Sequence, residues 1–190
     1  MRRTLTAAVL LLTAAAFLGC SSAPESEERA ATQAMAGAEA AKAAVYAPVA
    51  WKAAEDTLQA ARTEKAKQEG RFALFRNYGD TKALYERAAT LADQARISAQ
   101  QQQDVVRQEA ETLLTQAQTA LDGLSERLKK IRPRKDNKAE IEMMKRDVAA
   151  LQQGLDEART SLSQGDFDGA RTKAQSVLDK TTALRGTIKG

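Results

Sequence analysis

The sequence predicts an all-α protein: an elongated antiparallel helical array, or coiled-coil bundle, built on one long helix over about residues 81–131 with a C-terminal three-helix bundle. Three observations carry this prediction. Apolar residues and alanines recur at alternating steps of three and four along most of the chain, which puts them on single helical stripes. Alanine, glutamine, glutamate, lysine and leucine dominate, with few prolines and glycines to interrupt a helix. Aromatics are scarce, at 4% of residues, so alanine and leucine must do most of the packing.

The N-terminus reads differently from the rest. Arg2 and Arg3 precede an uncharged run, Leu5 to Leu18, of about fourteen residues. A basic start, a short apolar core and a small residue before a cut are the parts of an export signal. The run is short for a membrane span, which takes ~20 residues. It closes on Phe17-Leu18-Gly19-Cys20, which resembles the lipobox of bacterial lipoproteins, with Phe17 standing where that family usually has an aliphatic residue. The resemblance implies a signal peptide over 1–19, cleavage after Gly19, and lipidation of Cys20 as the first mature residue. Diacylglycerol on its sulfur plus an acylated amine would anchor stably, since one acyl chain binds only marginally and two signals hold. Ser21 rather than an aspartate follows, which in Gram-negative lipoproteins implies sorting to the outer membrane, facing the periplasm. The alternative is an ordinary secretory leader or single-span anchor with an incidental cysteine.

Composition bounds the chemistry of the remainder. Of 29 basic residues, Arg2 and Arg3 leave with the leader; the other 27 face 25 acidic ones, a net of about +2. That balance is not a nucleic-acid polycation. The chain has no histidine, and Cys20 is its one cysteine. Most transition-metal sites, Ser-His-Asp and Cys-His nucleophiles and the usual general base are thereby removed. No cofactor and no small-molecule substrate is expected.

Residues 20–28 read as the lipidated end and a flexible spacer. Residues 29–46 favour helix by propensity but offer a weak packing face. Pro48 suits the first turn of the next helix, 48–69, and biases Ala47 away from helix. Trp51, Ala54, Leu58 and Ala61 make its stripe. Gly70 is expected to stop it as a left-handed cap. The irregular stretch Arg71–Asp80 follows, with Asp80 or Thr81 expected to cap the long helix.

The long helix carries Leu84, Ala88, Leu91 and Ala95, thins over Gln100–Gln103, and resumes with Val106, Ala110, Leu113, Ala117, Leu121, Leu124, Leu128 and Ile131. Unbroken, it would be ~75 Å long. Pro133 ends it inside a basic turn, Arg132–Asn137, where Asn137 is a candidate cap. Helix 138–164 has the cleanest heptad: Ile141, Met144, Val148, Leu151, Leu155, Ala158 and Leu162. Gly165-Asp166 breaks it, and helix 167–188 follows with Ala170, Ala174, Val177, Thr181, Leu184 and Ile188. Short connections make consecutive helices antiparallel.

Two segments, Gln68-Glu69-Gly70 with Phe72 and Gln164-Gly165-Asp166-Phe167 with Ala170, resemble the turn of tetratricopeptide-type hairpins. Tyr46-Ala47-Pro48, Trp51, Ala54, Leu58 and the stretch Gly70–Tyr78 resemble an uncharacterised family of alanine-rich bacterial envelope lipoproteins over roughly residues 40–100. That family implies a helical lipoprotein and no reaction.

Two clusters are candidate contact sites. Phe72, Phe75 and Tyr78 either plug the end of a helical hairpin together with Tyr85 or project outward to dock a partner. The favoured expectation is the plug. Arg132, Arg134 and Lys135 belong to a basic run that is either a solvated loop after a helix C-terminus or a tip that meets anionic polymer or lipid phosphate. Carboxylate pairs such as Glu140 with Glu142, or Asp156 with Glu157, read as solvated faces. The expected function is non-enzymatic: a lipid-anchored structural spacer or interaction module whose partner is an envelope protein or anionic envelope polymer. One rival is a chaperone-like or regulatory module that grips a partner helix. Another is an envelope hydrolase working with carboxylates alone.

Overall fold

A computed structural model describes residues 22–187, so the leader, Cys20 and Ile188 lie outside the described residues. These residues form six α-helices and no strand. They are α1 (Glu25–Ala40), α2 (Ala43–Tyr46), α3 (Pro48–Glu69), α4 (Gly79–Lys130), α5 (Lys138–Ser163) and α6 (Phe167–Thr187), with a single 3-10 turn at Ala73–Phe75. Two compact units divide at Gln101, and α4 contributes residues 79–101 to the first and 102–130 to the second.

In the first unit, α3 packs on α4 as its stripe predicts, and α1 joins them. The alanine-rich helix is therefore a packing element. Ala31 and Ala38 of α1, Ala54 and Ala61 of α3, and Ala88, Ala92, Ala95 and Ala99 of α4 are all fully buried, with Leu58 and Tyr85 the large side chains among them. Trp51 lies half-buried against the cluster that contains Ala99. The register of α4 differs from expectation. Its seam runs through Thr81, Tyr85, Ala88, Ala92, Ala95 and Ala99, while Leu84 and Leu91 flank it half-buried. Small side chains at the centre let three helix backbones come close, and the leucines close the edges.

Several local boundaries also differ. The spacer is shorter than 20–28: α1 starts at Glu25, after a fully buried Pro24 whose carbonyl accepts the Glu28 N–H at 2.9 Å. Its first turn carries Glu25, Glu27 and Glu28, which favour a helix N-terminus. Two of them also pair across helices, Glu28 with Lys65 at 2.5 Å and Glu27 with Lys82 at 3.3 Å. The single helix expected over 29–46 is broken by Lys42, the one non-glycine residue with positive φ among those described (55°). The break returns Ala43 to the core, fully buried. Gly70 is right-handed (φ −69°), not a left-handed cap. The α4 start is held by Asn77, whose side-chain oxygen accepts the Gly79 N–H at 3.0 Å; Thr81 is buried in the seam instead.

In the second unit, α4, α5 and α6 form the expected three-helix bundle. Its core is Leu114, Ala117, Leu121, Leu124 and Leu128 against Ile141, Met144, Leu151, Leu155 and Ala158 of α5 and Ala174 and Val177 of α6. The turn between α5 and α6 is constrained at two glycines. Gly165 adopts φ 74°, which favours glycine. Asp166 then caps α6 by accepting the Gly169 N–H at 3.1 Å. A side chain at Gly169 would collide with that carboxylate, since its Cβ would lie 2.0 Å from Asp166 Oδ2.

Candidate functional site

Ser22 is the first described residue, and its position is informative. Lys82 Nζ, in the first turn of α4, reaches the Ser22 hydroxyl at 3.4 Å and Glu27 at 3.3 Å. Ser22 therefore lies at the end of the first unit where α1 and α4 begin and α3 finishes.

The turn Gly70–Tyr78 joins α3 to α4 at that same end, on a polar frame. The Gln68 side chain, buried at 4% exposure, accepts the Asn77 N–H at 3.1 Å and an Arg71 guanidinium N–H at 3.3 Å, and donates to Glu64 at 2.6 Å. Arg76 donates to the Arg71 carbonyl at 3.0 Å and to the Glu69 carbonyl at 2.9 Å. These bonds close the turn from within, and its apolar residues are turned out. Phe72, Leu74 and Phe75 are 69%, 76% and 73% exposed, with the two rings 6.3 Å apart. The four-aromatic plug is thus corrected to two. Tyr78 and Tyr85 are buried, and Phe72 and Phe75 are not. Tyr78 in turn does not share their outward face. Leu74, which composition alone did not single out, does.

The buried end beneath holds two unusual groups. Thr81 Oγ1 and Tyr85 Oη are enclosed without a hydrogen-bond partner. Burial pushes the Tyr85 phenol above its ordinary pKa, and the Glu28 carboxylate adds to the shift. Glu28 acts there chiefly through its charge and only secondarily as an acceptor, since it does not meet the hydroxyl with good hydrogen-bond geometry.

In the second unit, Arg132, Arg134 and Lys135 lie exposed between α4 and α5. None of the three makes an ion pair among the described residues. Asn137 supplies no side-chain cap to α5. Its side chain folds back, accepting the Arg134 N–H at 2.6 Å and donating to the Arg132 carbonyl at 3.3 Å. The asparagine therefore shapes the basic turn rather than the helix, a local competition that such side chains often win.

The carboxylates are mostly engaged with cations on helix faces. Asp156 pairs with Arg159 at 2.8 Å and Glu142 with Lys145 at 2.9 Å. Glu27, Glu64, Glu126 and Glu142 are held below the usual carboxylate range by the Ser26 hydroxyl, the Gln68 amide, Lys129 and Lys145 respectively. A carboxyl poised to donate a proton at neutral pH is shifted the other way. Among the described residues, no three His, Cys, Asp or Glu side chains gather as a metal site. An open groove of about 980 Å³ runs between α4 and α6, with Val105 and Leu113 among its lining residues and Arg171 paired to Glu109 at 2.9 Å across it.

No described helix is long and apolar enough to cross a membrane. Compared with known proteins, the chain matches no family model, no curated protein and no solved structure.

Proposed function

We propose that the protein is a non-enzymatic, lipid-anchored helical module of the cell envelope, held to the outer membrane through Cys20 and acting in the periplasm as a spacer and contact module. The observation that carries the reading is the Phe72–Phe75 turn: three large apolar side chains held out to solvent on a frame of hydrogen bonds. The solvated helix faces elsewhere are mainly polar and charged, so three large apolar side chains clustered outward on one turn mark a contact surface. The exposed Arg132, Arg134 and Lys135 offer a second, electrostatic contact for anionic envelope polymer.

Two experiments test this. Cys20→Ser should move the protein out of the membrane fraction; a variant that still pellets with outer membrane after a salt wash would refute the tether. A photo-crosslinking amino acid in place of Phe75 should form adducts with envelope components in intact cells, well above one placed at the exposed Gln59. The groove between α4 and α6 favours a second reading, in which a partner helix is gripped. Crosslinks confined to position 105 and absent from position 75 would move the assignment to it.

A further inference from the structure

We infer that the Phe72–Phe75 turn is a second contact with the same phospholipid bilayer that holds the lipids on Cys20, with Phe72, Leu74 and Phe75 seated in the interfacial layer and Arg71 at lipid phosphate. The inference rests on lipidation of Cys20 and names the surface that the turn meets.

Placement is the first argument. Cys20 is two residues before Ser22, and two residues of chain span at most about 7 Å. Ser22 itself lies beside Lys82, its hydroxyl 3.4 Å from the ammonium. Glu27 reaches the same lysine and Glu28 reaches Lys65, one turn before α3 ends. The chain between lipid and fold therefore has little slack, and it arrives at the end of the first unit that carries the turn. A bilayer holding the acyl chains lies against that end.

Chemistry is the second argument. Three apolar side chains about three-quarters exposed are poorly suited to water and well suited to the boundary between headgroups and acyl chains. Between Glu69 and Asp80 the turn has two arginines and no acid; Arg76 is spent on backbone carbonyls, which leaves the exposed Arg71 as the cation placed for lipid phosphate. Rigidity is the third. The bonds from Gln68 and Arg76 hold the turn in its outward form before any contact, so little conformational freedom is left to lose. Acyl chains and an inserted turn together make two signals from one end, and they fix which end of the first unit faces the lipid.

The test uses the full lipidated protein with Phe75→Trp and Trp51→Phe, reconstituted into phosphatidylethanolamine–phosphatidylglycerol vesicles with or without brominated acyl chains. Tryptophan emission should shift to the blue on reconstitution and lose intensity with brominated lipid. Phe72→Trp serves the same purpose if the first variant folds poorly, and Gln59→Trp should show neither effect. Water-like, unquenched emission at both turn positions in vesicle-bound protein would overturn the inference. Equal quenching at Gln59→Trp would do the same, as would crosslinks from position 75 that go to protein and never to lipid. The mass of the N-terminal peptide separates the two levels. Lipidated Cys20 with an unquenched turn overturns this inference alone, whereas unmodified Cys20 removes the tether and the inference with it.

Discussion

Replacing Leu155 with alanine probes the second unit at its most enclosed large side chain. Leu155 has no exposed surface and sits among the leucines of α4 and the small residues of α6. The change deletes three carbons, about 2.4 kcal/mol of transfer free energy at ~0.8 kcal/mol per methylene. Whatever part of the space stays open adds a cavity cost, which brings buried Leu→Ala changes to ~2–5 kcal/mol. Neighbouring backbones in a three-helix bundle can close in only partly, so we expect about 3 kcal/mol here. For a chain of this size each kcal/mol lowers Tm by roughly 2–4 °C, so the drop should be about 6–12 °C if the whole chain melts together. It should be larger, and confined to one transition, if the second unit melts separately. Circular dichroism at the helix band follows it directly. Gln153→Ala, at an exposed position of the same helix, is the control. A Leu155→Ala shift no larger than the Gln153→Ala shift would refute the assignment of this stripe to the core.

The remaining predictions concern the first unit. Tyr85→Phe deletes a buried hydroxyl that has no partner, so thermal denaturation should show Tm held or raised, not lowered. The same variant tests pH dependence: Tyr85 has a raised folded pKa, so its contribution is complete below the ordinary phenol value of 10.0 and is lost as pH rises through the raised one. Stability should therefore fall less steeply above pH 10.0 in the variant than in the parent by denaturant titration. Ala88→Leu forces bulk into the seam and should cost ~1–3 kcal/mol or more, whereas Ala83→Leu on the exposed face should be near neutral. Phe75→Ala should leave Tm nearly unchanged, because the ring is 73% exposed; a loss comparable to that of Leu155→Ala would restore the plug.

How much was legible depended on what each residue competes against. Helix 138–164 was readable almost position by position, because Ile141, Met144, Leu151 and Leu155 are strongly apolar and most of the positions between them are polar, charged or small. The seam of α4 was misread by one position, at Leu84 and Leu91, because hydropathy ranks leucine above alanine, whereas close helix approach ranks them by size. Residues 29–46 were underrated for the same reason. The aromatic turn could not be resolved from composition. Whether Phe72 and Phe75 face in or out is decided by Gln68 and Arg76, two polar side chains whose partners are backbone groups of the turn. Asn137 obeyed its turn-forming chemistry but spent it on Arg132 and Arg134 rather than on the helix that follows. Among the candidate site residues, Arg132, Arg134 and Lys135 are exposed, and the aromatic set is divided between exposed Phe72 and Phe75 and buried Tyr78.

The alanine seam of the first unit also governs how its stability changes with temperature. Heat capacity on unfolding grows with the apolar area exposed, and a buried alanine exposes far less than a buried leucine. The first unit, seamed by Ala31, Ala54, Ala88, Ala92, Ala95 and Ala99, should have a smaller heat-capacity increment per residue than the leucine-filled second. Alanine also loses no rotamer freedom when it is buried. The first unit's stability curve should accordingly be the flatter of the two, with cooling weakening the leucine core more steeply than the alanine one.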